Sequence, residues 1–345
     1  MGSSPSRTRG WLRRRVVAAA VAAATVLATA AVCATDDDRS AGCARASEIL
    51  EPACGAWLGI WPRTRADGTV TPDLGANLAS LEDRLGRRLD LVTRYYGWGQ
   101  QFPDAWDTQW RDGDRLLLID LRARNFSDNS YVSWRSIADG SHDAYLTRLG
   151  ERMRDFGAKV FFSFNQEPEQ ELEKGPQVAG TAADFVAAYR HVHDVFQRAG
   201  AENVVWIWWI MGYMGHTGWY HGLYPGDRYV DWISYDPYDF NTCKGGGFKT
   251  PEQSVMPFLT WLDGSGIGDG KPVMLSEFGS HGVDRHDWYV GLGDVVKKAE
   301  RIKAIVSFNS NPGGCDTRVT NSAGNWRGFA TLAGDPYFRQ PSPRS

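Results

Sequence analysis

Residues 161–171 read FFSFNQEPEQE, an apolar run that stops abruptly in amide and carboxylate side chains. A strand that is buried on both faces has no reason to end in such groups merely to reach solvent. In a (β/α)8 barrel the functional groups lie at the C-terminal ends of the strands. This stretch therefore predicts a barrel strand with a functional site at its C-terminal end.

Seven more short apolar runs occur along the chain, and they are continuous rather than alternating, which is typical of parallel strands buried on both faces. Amphipathic segments at 77–85, 143–156 and 181–199 predict helices between them. The clearest is 181–199, because Thr181 and Asp184 resemble an N-cap followed by an acid in the first turn. The eight apolar runs are 56–61, 89–96, 115–121, 159–165, 203–210, 230–235, 272–276 and 302–308.

Eight strands separated by helices within about 285 residues predict an α/β protein with a single (β/α)8 barrel domain over residues 56–340. The alternative is an open doubly wound sheet, which usually has fewer strands and a glycine-rich turn after the first. The first run here ends in Trp-Pro-Arg at 61–63 instead. The glycine-rich residues 264–271 have Ser265 where a phosphate loop needs glycine, so they indicate a flexible helix-to-strand connection.

The first 34 residues have the pattern of an export signal. Five arginines between positions 7 and 15 precede an Ala/Val run at 16–32, and small residues then favour cleavage after Ala34, or earlier after Ala30. An uncleaved anchor is the alternative, although about 17 apolar residues lie at the lower limit for spanning a bilayer. Residues 35–55 form a short polar lead-in. The sequence thus predicts a secreted protein.

Export places the chain in an oxidising compartment, where cysteines form disulfides. Cleavage after Ala34 leaves four cysteines, which allow three pairings. Because each pair then lies within one region, we expect Cys43–Cys54 and Cys243–Cys315. A zinc site is the alternative, but no CxxC or clustered Cys/His spacing supports it.

The composition limits the classes of partner. A formal net charge of −3 disfavours nucleic acid. The chain has 15 Trp, 13 Tyr and 15 Phe, so it either has a Trp-rich core or presents flat apolar faces to sugar or aromatic ligands. The pattern predicts no metal and no cofactor.

Carboxylic acids follow two of the apolar runs that a barrel brings to opposite sides of its mouth. Glu167 follows the fourth run and Glu277 the seventh, 110 residues later. Cleavage of a glycosidic bond needs two such acids, one protonated and one ionised, and a retaining pair lies about 5–5.5 Å apart. A single glutamate at a strand end is more often a helix cap or half of a salt bridge. Glu169 and Glu171 are the reserve candidates for the acid.

These segments resemble clan A glycoside hydrolases, and most closely family 26, the β-mannanase family. The resemblance extends over residues 56–336 and is carried by 161–169, 185–208, 224–238 and 271–279. It implies that Glu167 is the general acid/base, that Glu277 is the nucleophile, and that Tyr238 donates a hydrogen bond to Glu277. It also implies further residues at the sugar site: Asp236 near the nucleophile, with Trp208 and Phe308 as apolar walls.

The chain departs from the family pattern next to the acid. Gln166 occupies the position where the family usually has histidine, and glutamine can form hydrogen bonds but cannot titrate. Asn165 is expected to contribute to sugar binding instead. Trp98, after the second run, either stacks on a sugar or caps the barrel.

The sequence predicts a secreted, monomeric, retaining endo-β-glycosidase whose partner is a polysaccharide, with β-1,4-mannan as the first substrate. Substrates within reach of similar proteins are β-1,3-xylan and mixed-linkage β-glucan. The alternative from another functional class is a noncatalytic carbohydrate-binding barrel.

Overall fold

The computed structural model describes residues 1–2, 43 and 46–341, and the predicted (β/α)8 barrel is confirmed. Eight parallel strands pair in chain order, and pairing of the first strand with the last closes the cylinder. A two-residue strand, β7 (Tyr238–Asp239), pairs with the end of β8. The barrel strands are β1 (Trp57–Trp61), β2 (Leu91–Tyr96), β3 (Leu116–Leu121), β4 (Val160–Phe164), β5 (Val204–Ile210), β6 (Trp232–Tyr235), β8 (Val273–Ser280) and β9 (Ile302–Phe308).

Helices connect the strands and cover the barrel. The predicted capping of the helix Ala182–Arg198 is present, because the Thr181 hydroxyl accepts a hydrogen bond from the Asp184 amide and the Asp184 carboxylate accepts one from the Thr181 amide. The α-helices are α1 (Leu74–Leu85), α2 (Ala105–Asp112), α3 (Trp134–Ala138), α4 (Asp143–Phe156), α5 (Glu169–Leu172), α6 (Ala182–Arg198), α7 (Thr217–Leu223), α8 (Pro251–Ser265), α9 (His286–Lys298) and α10 (Ala323–Gly334).

The core has two layers, because side chains alternate between the two faces of each strand. In β5, Ile207 and Trp209 belong to the cluster inside the barrel, whereas Trp206 and Trp208 belong to the cluster between the barrel and the helices. Both layers are buried, so the strand sequences read as continuous apolar runs.

Both predicted disulfides are present, Cys43–Cys54 and Cys243–Cys315. The second joins the segment after β7 to the segment after β9, at the mouth of the barrel. The predicted signal peptide at 1–34 lies outside the described residues except for the first two, and much of the lead-in at 35–55 also lies outside them. Within the described ranges, none of the helices combines the length and apolar character that a membrane span requires.

The glycine-rich residues 264–271 form a connection between helix and strand, as the sequence predicts. Helix α8 ends at Ser265, and Gly266 follows with a left-handed φ of 72°, which glycine adopts at helix ends without steric cost. Strand β8 then begins at Val273.

Candidate active site

A cleft with two arms crosses the C-terminal ends of the strands. Glu167 and Glu277 line both arms, so the arms meet at these two carboxyl groups. The short arm has a volume of about 400 Å3 and is lined by Trp61, Tyr95, Arg124, Phe126, Gln166 and Phe308, among others. The long arm has a volume of about 700 Å3, and its lining includes Met211, Tyr213, Asp236, Tyr238, Phe240, Lys244 and Lys249.

The backbone after β4 directs Glu167 into this cleft. Asn165 and Glu167 both have left-handed conformations, with φ of 53° and 47°. Such conformations are sparsely populated for residues other than glycine and persist only where neighbouring contacts hold them. The Glu167 amide donates to the Trp209 carbonyl at 2.9 Å, and the Gln166 amide donates to the Asp120 carboxylate at 2.8 Å. Hydrogen bonds from β5 and β3 therefore fix the position of the glutamate.

Asn165 lies beneath the cleft instead of lining it, which corrects the expectation that it binds sugar. Its side-chain oxygen accepts from the Ala123 amide at 3.0 Å, and its amide nitrogen donates to Glu171 at 3.3 Å. Glu171 also accepts a bond of 3.0 Å from Arg122, whose guanidinium donates to the Gln166 carbonyl at 2.5 Å. This buried network supports the segment that carries Glu167. The Glu171 carboxylate accepts hydrogen bonds within the network through both of its oxygens.

Glu277, near the end of β8, accepts three hydrogen bonds from neutral donors. The Tyr95 hydroxyl donates to Oε1 at 2.7 Å, the Gln166 amide donates to Oε1 at 3.0 Å, and the Tyr238 hydroxyl donates to Oε2 at 2.6 Å. Burial raises the pKa of Glu277 above its usual value, and the hydrogen bonds from these three donors offset part of that rise. Donors directed at both oxygens stabilise the ionised form.

Glu167 shares this buried site and lies beside the charge of Glu277. Burial, followed by the negative charge of Glu277, raises its pKa to about 7. Asp236 also contacts this pair: its carboxyl accepts hydrogen bonds from the Trp209 indole at 2.7 and 2.9 Å and forms a hydrogen bond with Glu167. Burial, followed by the charges of Glu277 and Glu167, raises the pKa of Asp236 well above its usual range. Three acids share one buried site, so they cannot all be ionised together.

Glu169, the first reserve candidate, is fully buried behind the cleft. Its Oε1 accepts from the Met211 amide at 2.9 Å, and burial raises its pKa to about 8. Of the glutamates at 167, 169 and 171, only Glu167 lines the cleft.

Two tryptophans that the sequence offers as sugar-binding residues lie outside the cleft. Trp208 is fully buried and packs against Tyr220 and Tyr224 outside the barrel, so the prediction that it forms a cleft wall is wrong. Trp98 is only 7% exposed, packs against Tyr145, and lines neither arm. Phe308 does line the short arm.

Three aromatic residues make contacts at the site that the sequence did not predict. Tyr95 contacts Glu277, Trp209 contacts Asp236, and Trp61 stacks on Phe308 with ring centroids 4.5 Å apart. The period of two along a strand could have identified Trp209, because it has the same parity as the inward-facing Ile207. Within the described ranges, no group of three or more His, Cys, Asp or Glu side chains is arranged to hold a metal ion.

No protein-family model matches the chain. A curated relative, endoglucanase H from Acetivibrio thermocellus, is 26% identical over 287 residues; the match covers 78% of this chain but 29% of that protein. The β-mannanase BoMan26A of Bacteroides ovatus has a similar structure, with a TM-score of 0.60, 15% identity, and coverage of 83% of this chain and 90% of that one.

A modular endo-β-1,4-mannanase from Cellulomonas fimi, described as a family 26 mannanase, superimposes with a TM-score of 0.59 and 18% identity over 84% of this chain and 72% of its own. The chain has the fold of the family 26 glycoside hydrolases. The resemblance predicted from the sequence is thereby confirmed at the level of the fold. The chain spans less than a third of the length of the curated relative, so the activity of that whole protein does not transfer to this barrel by similarity alone.

Proposed function

We propose that the chain is a secreted retaining endo-β-glycosidase that hydrolyses a β-linked polysaccharide, with Glu167 as general acid/base and Glu277 as nucleophile. The observation that supports the proposal best is the contrast between the two acids that meet in the cleft. Three neutral donors stabilise the Glu277 carboxylate, whereas burial and the charge of Glu277 favour the protonated form of Glu167. A retaining pair needs these two protonation states at once.

In the first step of this mechanism the Glu277 carboxylate attacks the anomeric carbon. The bond from that carbon to the glycosidic oxygen breaks, and the oxygen takes the proton of Glu167. Tyr95, Tyr238 and Gln166 hold the attacking carboxylate in place. The products are a glycosyl ester on Glu277 and a shortened chain with a free hydroxyl.

In the second step water enters and Glu167, now ionised, removes a proton from it. The resulting oxygen attacks the anomeric carbon, the ester bond breaks, and the Glu277 carboxylate is released. Formation of the ester neutralises Glu277, which lowers the pKa of Glu167, because the charge of Glu277 is one of the factors that raise it. This change helps Glu167 to act first as an acid and then as a base.

Internal cleavage is supported by the two arms, since a cleft that extends to both sides of the acids can hold chain on both sides of the cut. We propose β-1,4-mannan as the first substrate, because the similar structures named above are described as mannanases. A mixed-linkage β-glucan is the second candidate, favoured by similarity to a protein named an endoglucanase.

The test is release of reducing sugar from a panel of β-mannan, mixed-linkage β-glucan and β-1,3-xylan. Glu167→Ala and Glu277→Ala should each abolish it. Azide should restore turnover of an activated aryl glycoside and give a β-azide with Glu167→Ala but an α-azide with Glu277→Ala. If the wild-type chain binds a glycan of the panel but cleaves none, the noncatalytic alternative replaces this proposal.

A further inference from the structure

The charges that line the cleft have an unusual distribution. Apart from the three buried acids Glu167, Asp236 and Glu277, every ionisable Asp, Glu, Lys or Arg side chain that lines either arm is a cation. This is notable in a chain whose formal net charge is −3. The four cations are Arg122 and Arg124 in the short arm and Lys244 and Lys249 in the long arm.

Only Arg122 is neutralised by an internal partner, because it forms an ion pair with Glu171 at 3.0 Å. Across the described ranges, Arg124, Lys244 and Lys249 make no salt bridge with a carboxylate. A neutral sugar can accept hydrogen bonds from these side chains, but only an anionic ligand uses their charge as well. The positive charges that face the cleft are therefore available to a ligand.

Arg124 is placed to bind a carboxylate. Its guanidinium donates to the Asn129 side chain at 2.7 Å and lies over the Tyr131 ring at 5.2 Å, which fixes its orientation. Its Nε is buried without a hydrogen-bond partner. The residue lines the short arm, and a planar guanidinium matches the two oxygens of a carboxylate.

The long arm has its own pair of cations. Lys244 donates to the Gly313 carbonyl at 3.0 Å, and Gly313 lies where the two arms meet. Lys249 is exposed and lies two residues before α8 begins; Ser254 of that helix lines the same arm with an Oγ that has no hydrogen-bond partner. The Cys243–Cys315 disulfide holds the segment that carries Lys244 next to the segment after β9.

We propose that the cleft prefers a β-glycan that carries uronate units to the neutral form of the same polymer, with the uronates bound by Arg124 in the short arm and by Lys244 and Lys249 in the long arm. This inference rests on the proposed hydrolase function and specifies its substrate class. The sugar faces stack on Trp61 and Phe308, and the cations select carboxylates on units that flank the cut.

The test compares two preparations of the same polymer. β-Mannan and mixed-linkage β-glucan are each partly oxidised at C6 to give uronate units, and half of each batch is reduced back to the hydroxyl form as the neutral control. At 50 mM NaCl we expect kcat/KM to be about fivefold or more higher on the oxidised form. In 1 M NaCl, where the Debye length falls to roughly 3 Å, the ratio should approach one.

Variants assign the preference to the named cations. Arg124→Gln should lower the ratio of the two kcat/KM values to near unity, because a charged hydrogen bond is lost. Lys249→Gln should lower it about two- to fivefold, as expected for an exposed ion pair, and its side chain is exposed enough that folding is unaffected. Lys298→Gln, on the exposed face of α9, changes the net charge equally and should leave the ratio unchanged.

A ratio near one in the wild type at both salt concentrations overturns the inference while leaving the hydrolase proposal intact. A preference for oxidised polymer that persists in 1 M NaCl, or that Lys298→Gln alters as much as Lys249→Gln, also overturns it. If no polymer is cleaved, the hydrolase proposal fails, and calorimetric binding of the oxidised and reduced oligosaccharides to the wild-type chain still decides whether the cleft prefers the acidic form.

Discussion

The hydrogen bond from Tyr95 to Glu277 gives a direct prediction about the pH dependence of the reaction. Tyr95→Phe removes only the hydroxyl, which donates to Oε1 at 2.7 Å. The ring contacts remain, because Phe keeps the edge against Trp61, whose ring centroid lies 5.1 Å away. The substitution therefore tests the hydrogen bond separately from packing.

The expected magnitude follows from the chemistry of the bond. A hydrogen bond to a charged group contributes about 1.5–3 kcal/mol. Because one pH unit corresponds to about 1.4 kcal/mol, loss of the bond should raise the pKa of Glu277 by about 1–2. Burial already raises that pKa, and the Tyr95 bond is one of the interactions that lower it.

The assay is the pH profile of kcat/KM, whose acidic limb reports the nucleophile in the free enzyme. Since Glu277 must be ionised to attack, the acidic limb should move to higher pH in Tyr95→Phe, with the alkaline limb less affected. Tyr145→Phe, which removes a hydroxyl that donates to the Gln100 carbonyl, is the matched control and should not move either limb. An acidic limb that stays in place in a folded Tyr95→Phe protein would refute the reasoning.

Three further predictions concern the buried acids and the core. Glu277→Gln should lower the pKa of Glu167 from about 7, because the charge of Glu277 contributes to raising it; carboxyl NMR titration measures the shift, and an unchanged value contradicts it. Glu169 has a folded-state pKa of about 8 against an ordinary value of 4.5, so its protonated form stabilises the fold at low pH and this stability is lost as pH rises from about 4.5 to 8. Glu169→Gln should remove that loss. Chemical denaturation should then show that the free energy of unfolding falls less between pH 5 and pH 8 in the variant than in the wild type. An equal fall in both proteins would show that Glu169 is ionised in the fold. Trp208→Ala should lower the free energy of unfolding by about 3–5 kcal/mol because the indole is fully buried, and an effect on KM alone would restore Trp208 to the cleft.

The sequence was informative where a single physical signal determined the structure. Continuous apolar runs predicted the eight barrel strands, and the capping residues Thr181 and Asp184 predicted where α6 begins. The two glutamates were found because polar groups at the ends of buried strands need a reason to be there. These inferences depend on local sequence patterns, which can be recognised without knowledge of the fold.

The wrong or missing predictions concern the directions of side chains and the contacts between residues that are distant in the sequence. The family resemblance implies that Trp208 lines the cleft, but the two-residue period along β5 directs Trp209 inward instead. Asn165 points beneath the cleft because of its left-handed backbone and its bond to the Ala123 amide, neither of which a local pattern reveals. The contact of Tyr95 with Glu277 joins residues 182 positions apart, so only the closed barrel makes it visible.

The central claim is that Glu277 forms the covalent intermediate while Glu167 supplies the proton. A 2-deoxy-2-fluoro-β-glycosyl fluoride of mannose or glucose slows the second step, so the intermediate accumulates and can be located by tandem mass spectrometry. We predict a single glycosyl adduct on Glu277 that disappears in Glu277→Gln. An adduct on Glu167 or Asp236, or inactivation by the reagent without any adduct on Glu277, would contradict the account.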